Sequence, residues 1–370
     1  MDRRTFLAMP AAAGALPKTP EYRVVSAFQP SPQPGMPGPY AGSVVSVKSA
    51  KSIDAQTENV DAAVVAEMIR RGMTALTGEA GARDAWRKFF TPSDVVGIKV
   101  NCSGAPGICS HPAVVAEIVR NLVAVDVKPK QIYIYERFRD QMEAVKYERY
   151  VPDGVTIQAA EGSRNQMSGY DPRTYVEVDF FGEEDTRSNL IRLVSERFTK
   201  IINVPNMKDH GAAGVTGCLK NIAYGNFSNV ARSHRNEKTN TFSFIGELAK
   251  VEPVRSRTVL QVMDGLRGVW HGGPFSPTRK FRFYPGQMMF GTDPVAIDRL
   301  LIDVIDGKRK AEGATSVWDR SMANVQRGRG YSDNPNIQRF IREPGHIEYA
   351  SKLGLGVYDR SKIRLKEISL

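Results

Sequence analysis

The chain has 370 residues, of which 41% are hydrophobic, 25% charged and 9% aromatic. These proportions exclude a wholly disordered chain and a collagen-like repeat, and three cysteines without a C-x-x-C pair exclude a disulfide scaffold, a zinc ribbon or a ferredoxin-type cluster run. The 51 Lys and Arg against 40 Asp and Glu leave a formal charge of +11, which suits acidic partners, and no apolar run approaches the ~18 residues that a membrane span requires.

The chain opens MDRRTFLAMPAAAGALPKTP, with Arg3 and Arg4 ahead of Phe6 and Leu7 and a small-residue triplet at Ala13 to Ala15. This looks like a twin-arginine export signal over residues 1–15, from which Asp2 and Ala8 depart. It predicts an exported, periplasmic protein handled by the twin-arginine translocation machinery. Residues 16–42 hold PSPQPGMPGP, with seven prolines and glycines in ten positions, and are expected to form a surface linker. Residues 43–370 then read as one α/β domain.

From Ser43 to Val47 a short β-branched strand is expected, followed by a helix over Val60 to Leu76 with apolar residues at 60, 64, 65, 68, 69, 73 and 76. Val95 to Val100 reads as a buried strand. Ser110 is expected to cap the next helix, with Pro112 in its first turn, and Gln131 to Tyr135 is a further strand. Strand, helix and strand in this order form a βαβ unit, so the fold class is α/β, a mostly parallel sheet with helices on both faces. Short strands at Val155 to Gln158, Tyr175 to Asp179 and Ile191 to Val194 leave room for an antiparallel extension. Lys200 to Val204 is another buried strand, followed by a loop that carries Lys208 and His210 and a helix opened by Thr216 and Gly217. Beyond a helix at Phe242 to Ala249 come strands at Val259 to Met263 and Met288 to Phe290. Asp293-Pro294 starts a helix with an apolar stripe, and a helix from His346 and a strand at Ile363 to Leu365 close the chain.

Ligands in open α/β sheets bind beyond the carboxyl ends of the strands. Those ends deliver Lys99, Asn101, Cys102 and Ser103 from VVGIKVNCSG, and Lys208, His210, Thr216, Lys220 and Asn221 from IINVPNMKDHGAAGVTGCLKN. Asp264, Arg267 and His271 come from VLQVMDGLRGVWHGGP, and Thr292 and Asp293 from MMFGTDPVAID. Lysines beside exposed backbone N–H groups suit a phosphate or carboxylate. Asp293 serves equally as a helix cap, and Lys208 and Lys220 serve equally as solvated charges. The five histidines lack i, i+4 or H-E-x-x-H spacing, although their positions leave room for a divalent metal. Cys102 and Cys109 could close a small disulfide in an oxidising compartment, or all three cysteines could remain thiols. The sequence contains no P-loop, no complete G-x-G-x-x-G and no G-x-S-x-G.

VGIKVN with a helix-opening H-P, NVPNMKDHG with VTGCLKNIAYG, a histidine after a short loop (His234), VMDGLRG and FGTDPVAID together resemble the bacterial and archaeal domain-of-unknown-function family 362. The match spans about Val95 to Asp298, and its most specific part is K-x-H…T-x-x-x-K-N. Position by position, the resemblance implies roles for Lys99, Asn101, Lys208, His210, Thr216, Lys220, Asn221, His234, Asp264 and Asp293. Many members carry ferredoxin-like cysteine runs. This chain carries none, so no intrinsic iron–sulfur cluster is expected.

The resulting expectation is an exported enzyme acting on a small anionic substrate. Lys99, Lys208 and Lys220 would hold the anion, and Asn101 and Asn221 would orient it, with Thr216 and Asp293 alongside. His210 or His234 would act as general acid or base, and Asp264 would orient that histidine or hold a cation. The alternative is a non-catalytic periplasmic binding or assembly protein for an acidic ligand or cofactor. Nucleic acid is set aside, because the basic residues are scattered and no stacking-aromatic motif appears.

Overall fold

The computed structural model describes residues 20–161, 169–235, 238–276, 278–326 and 333–370, so the export motif of residues 1–15 lies outside the described residues. The strands are β1 (Arg23–Val25), β2 (Ser43–Lys48), β3 (Val96–Val100), β4 (Ile132–Phe138), β5 (Thr156–Glu161), β6 (Tyr170–Glu177) and β7 (Arg187–Ile191). They continue with β8 (Lys200–Val204), β9 (Asn206–His210), β10 (Gly214–Thr216), β11 (Thr258–Val269), β12 (Arg282–Phe283), β13 (Gln287–Gly291) and β14 (Arg364–Ser369). The helices are α1 (Ala62–Thr77), α2 (Ala82–Arg87), α3 (Pro112–Ala124), α4 (Arg139–Glu143), α5 (Cys218–Tyr224), α6 (Thr241–Ala249), α7 (Val254–Arg257), α8 (Pro294–Ala311) and α9 (His346–Lys352).

The central sheet runs β14-β2-β13-β11-β8-β3-β4-β5, and β9, β10 and β12 attach to it beside β11. From β11 to β5 every pairing is parallel, and along the whole path β13 alone runs against its neighbours. β5, expected in an antiparallel extension, is instead a parallel edge strand on β4. The antiparallel sheet is separate and has the order β1-β6-β7.

Alternation along each strand divides the interior into two cores. Val96, Ile98, Ile132, Ile134, Ile202, Val204, Leu260 and Val262 pack with α1, α2 and α3 on one face. Tyr135, Ile201 and Met263 pack with α5, α6, α8 and α9 on the other. α1 forms because its apolar stripe faces the sheet while Asp61 accepts hydrogen bonds from the N–H groups of Ala63 and Val64, and Gly78, at φ 79°, ends it in the left-handed region. α3 is capped by His111, whose Nδ1 accepts from Ala113 N, and not by Ser110 as expected. Ser110 sits one residue too early. Its hydroxyl donates to Val204 O at 2.5 Å and accepts from Asn101 N at 2.7 Å, which ties the ends of β3 and β8 together.

The segment expected as a surface linker is described from residue 20 onward and packs on the domain. PSPQPGMPGP forms neither helix nor ladder, but Gly35 N donates to Ser256 O, Met36 is fully buried, and β1 pairs with β6. Among the described residues no helix is long and apolar enough to cross a membrane.

Candidate functional site

The parallel strands carry a polar row on the face that α5 covers. Tyr135 of β4 stands beside Lys99 of β3, Lys99 beside Asn203 of β8, and Asn203 beside Gln261 of β11. Polar groups at this depth need partners, and Lys99 and Asn203 find theirs here, while Gln261 Nε2 has none among the described residues. Lys99 Nζ donates to Glu136 Oε1 at 2.9 Å and to Val100 O at 2.6 Å. Asn203 Nδ2 donates to Gln261 Oε1 at 2.7 Å and to Cys218 O at 2.9 Å. Asn221 of α5 caps the row. Its Nδ2 donates to Asn203 Oδ1 at 2.7 Å, and its Oδ1 accepts from Asn101 Nδ2 at 3.1 Å. Gly225 has no side chain because none fits, since a Cβ there would lie 2.3 Å from Lys99 Cε.

The stretch expected as a loop around Lys208 is β9, which continues β8 after Pro205 and forms a hairpin with β10 that places Thr216 opposite Lys208. NMKDH lacks the apolar alternation of a strand, yet it is buried throughout because β10 and β11 flank it. Lys208 Nζ donates to Asn101 Oδ1 at 2.7 Å and to Ser103 O at 2.5 Å, and burial pushes its ammonium down to about 8.

Above this floor lies a cavity of about 540 Å3. Asn101, His210, Thr216, Lys220, Asn221 and His234 line it, whereas Lys99 and Lys208 stand behind its wall. The site thus gathers most of the expected residues, with two of the three lysines already bonded to protein oxygens. Lys220 differs from them. Among the described residues its ammonium has no ion pair or hydrogen bond, only the Tyr224 ring at 4.6 Å. Burial, with Lys208 and Arg137 nearby, pushes it down to about 7.

His210 Nδ1 accepts hydrogen bonds from Ala212 N and Ala213 N, both at 3.1 Å. The neutral ring must then carry its proton on Nε2 and offer it as a donor. Burial first, then Lys220 and His234, hold this histidine well below its ordinary range. The His234 ring lies 5.3 Å from it, centroid to centroid, and burial pushes His234 down to about 3. Its Nδ1 meets Ser233 Oγ at 3.1 Å, and its Nε2 is buried without a partner among the described residues.

Asp264 does not orient either histidine. It follows Leu260 and Val262 in the strand alternation onto the α3 face, where it accepts from His111 N at 2.7 Å and Leu266 N at 3.1 Å. Asp293 is also outside the cavity. Because β13 is antiparallel, its end points back toward the amino-terminal edge of the parallel strands, and Asp293 caps α8 through Ala296 N while also accepting from Gly42 N and Val357 N. Cys102, Cys109 and Cys218 are buried free thiols, with no disulfide between the first two. Among the described residues no group of three or more His, Cys, Asp or Glu is placed to hold a metal ion.

Sequence reasoning missed part of the wall. Glu136 and Arg137 complete β4, which runs past the expected end at Tyr135, and Asp209 lies between the two residues of the K-x-H motif. Gln338, Phe340 and Arg342 come from a region without a motif. Both carboxylates that line the cavity are engaged. Glu136 accepts from Lys99 and from Arg137 N, and Asp209 accepts from Gly273 N and pairs with Arg342. Arg137 is held by Glu161 at 3.1 Å and Tyr170 at 3.0 Å. Arg342 Nη1 and Gln338 Nε2 are buried without partners among the described residues.

No curated protein matches the chain. The sequence model of one family, described as Domain of unknown function (DUF362), matches residues 96–303, more than half of the chain, from β3 through the first half of α8. That span contains the whole polar row, the Lys208 hairpin, Lys220 and the cavity histidines His210, His234 and His271, and the chain belongs to the DUF362 family.

Proposed function

We propose that this DUF362 protein is an exported enzyme that acts on a small carboxylate- or phosphate-bearing substrate in the cavity above α5. One observation carries the reading. Among the described residues the cavity's carboxylates are already paired, while the donors Lys220 Nζ, His210 Nε2–H, Gln338 Nε2 and Arg342 Nη1 have no hydrogen-bond acceptor. Buried donors without acceptors are costly, and a ligand rich in oxygen acceptors satisfies several of them together.

Within that reading His210 donates a hydrogen bond and does not accept a proton, because Ala212 and Ala213 occupy its lone pair. Lys220 is the group whose proton changes hands near neutral pH, with His234 Nε2 beside it. The occupied lone pair of His210 also favours a second reading, a binding protein in which the same donors capture an acidic ligand without turnover. The export half of the proposal rests on Arg3, Arg4, Phe6 and Leu7.

Phosphate, sulfate or a small carboxylate should raise the thermal midpoint by mass action, about 2.7 kcal/mol at a hundredfold excess over Kd. Lys220→Met should remove most of that gain. An unchanged midpoint across these anions overturns the reading. His234→Ala separates its two forms, since an enzyme loses turnover with affinity retained and a binding protein loses affinity alone. Replacing Arg3 and Arg4 by Lys should hold the precursor in the cytoplasm, and undiminished export of that variant would refute the export proposal.

A further inference from the structure

Lys99 and Lys208 show how this fold partners a buried amine, because each is given oxygens. Lys99 has a carboxylate and a carbonyl, and Lys208 has an amide oxygen and a carbonyl. Lys220, one residue before Asn221 on the same helix, is given none among the described residues. Its ammonium lies over the face of Tyr224, whose hydroxyl is occupied by Ser233 Oγ at 2.7 Å. A ring face attracts a cation but accepts no conventional hydrogen bond, and the cations Lys208 and Arg137 oppose a further charge. The arrangement favours the free amine, with its nitrogen lone pair available at the wall of a cavity of about 540 Å3. A desolvated lysine beside another cation is a recognised way to activate an amine as a nucleophile.

We propose that Lys220 forms an imine with the aldehyde or ketone carbonyl of a small compound that also bears a carboxylate or phosphate, a proposal that rests on the anionic reading of this cavity. The Nζ lone pair bonds to the carbonyl carbon while the C=O π pair moves to oxygen, and one N–H proton passes to that oxygen to give a carbinolamine. The C–O bond then breaks, and the hydroxyl leaves as water with the second nitrogen proton. One amine and one carbonyl yield one imine and one water, with no oxidant or reductant. His210 Nε2–H, in the same cavity, is a donor for the carbonyl oxygen as negative charge develops on it, and Arg342 is a donor for the acidic group.

The test uses the full chain at pH 7 with glyoxylate, an aldehyde bearing a carboxylate, and cyanoborohydride to reduce any imine to a stable secondary amine. Peptide mapping should find Lys220 modified up to about 1000-fold faster than an exposed lysine such as Lys362, the ratio of their free-amine fractions at this pH. Inorganic phosphate should protect it, and Lys220→Arg should abolish the selective adduct. Modification spread evenly over the surface lysines overturns the imine. If phosphate still raises the thermal midpoint in that case, the anion site stands and only the imine falls. If it does not, both fall together.

Discussion

Lys208 and Asn101, separated by 107 positions in the sequence, are joined by a 2.7 Å hydrogen bond from Nζ to Oδ1. That bond ties the β9 hairpin to the loop after β3, and the other end of the Asn101 amide reaches Asn221 on α5. Three elements that carry family motifs are thus fixed to one another beneath the cavity.

Lys208→Met should therefore loosen the loop more than a surface lysine change would. It leaves Asn101 Oδ1 and Ser103 O, both part-buried, without their donor, at a combined cost of about 1–3 kcal/mol. Urea unfolding should show a loss in that range, while Lys362→Met, at an exposed site, should stay within about 0.5 kcal/mol of wild type.

Asn221→Leu should be more severe than its size change suggests. It removes the donor to Asn203 Oδ1 and the acceptor for Asn101 Nδ2. Both orphaned groups remain buried or part-buried, so the expected loss is about 2–5 kcal/mol, and Asn221→Asp should not restore the bond to Asn203. Denaturant midpoints of the two variants check this.

The buried lysines set an alkaline trend. Lys208 at about 8 and Lys220 at about 7 lie below their ordinary 10.5, so between about pH 7 and 10.5 the unfolded chain binds more protons than the folded one. Stability contributed by these two groups therefore rises with pH across that window. Comparing Lys220→Met with wild type should show a shallower rise in the variant. Competitive acetylation of wild type against pH should give Lys220 a midpoint near 7, moved upward by phosphate.

The histidines act on the acid side. His111 and His346 at about 4 and His234 at about 3 are held by burial below their usual 6.5. Below 6.5 the unfolded chain gains protons that the folded chain refuses, so these groups destabilise the fold as pH falls toward 4. Asp298, raised to about 7, works in the opposite direction between 3.8 and 7. His210 is held down in the same way, and burial also raises Asp264 and Asp293; with four such histidines against three carboxylates, the thermal midpoint should fall from pH 6.5 to 4, and His346→Asn should lessen the fall.

Thiol titration offers a further check. Burial raises Cys102, Cys109 and Cys218, and all three are enclosed. An aromatic disulfide reagent should find no reactive thiol in the native protein and three after denaturation.

The parts of this architecture that showed in the sequence are those with a strong apolar signal. VVGIKV and KIINV read as buried strands because valine and isoleucine dominate them, and the 3.6-residue stripe of α1 is uninterrupted. β9 did not show, because NMKDH is polar and becomes a strand only through β10 and β11 on either side. The gathering of Asn101, Lys208, Lys220 and Asn221 followed from the strand-end rule, but the exclusion of Asp264 depended on which face its strand turns inward. Arg342 and Gln338 reach the cavity from far along the chain, where no local pattern marks them.

The side-by-side placement of Lys99, Asn203 and Gln261 also limits which length changes the molecule can absorb. Adding or removing a single residue within β8 ahead of Asn203 would turn that amide toward α1 and α3 and bring an isoleucine or valine under Asn221. Two-residue changes restore the parity of the pleat and shift only the height of the amide. Viable insertions in β3, β8 and the first half of β11 should therefore come in even numbers, whereas the hairpin turn at residues 211–213 carries no such restriction.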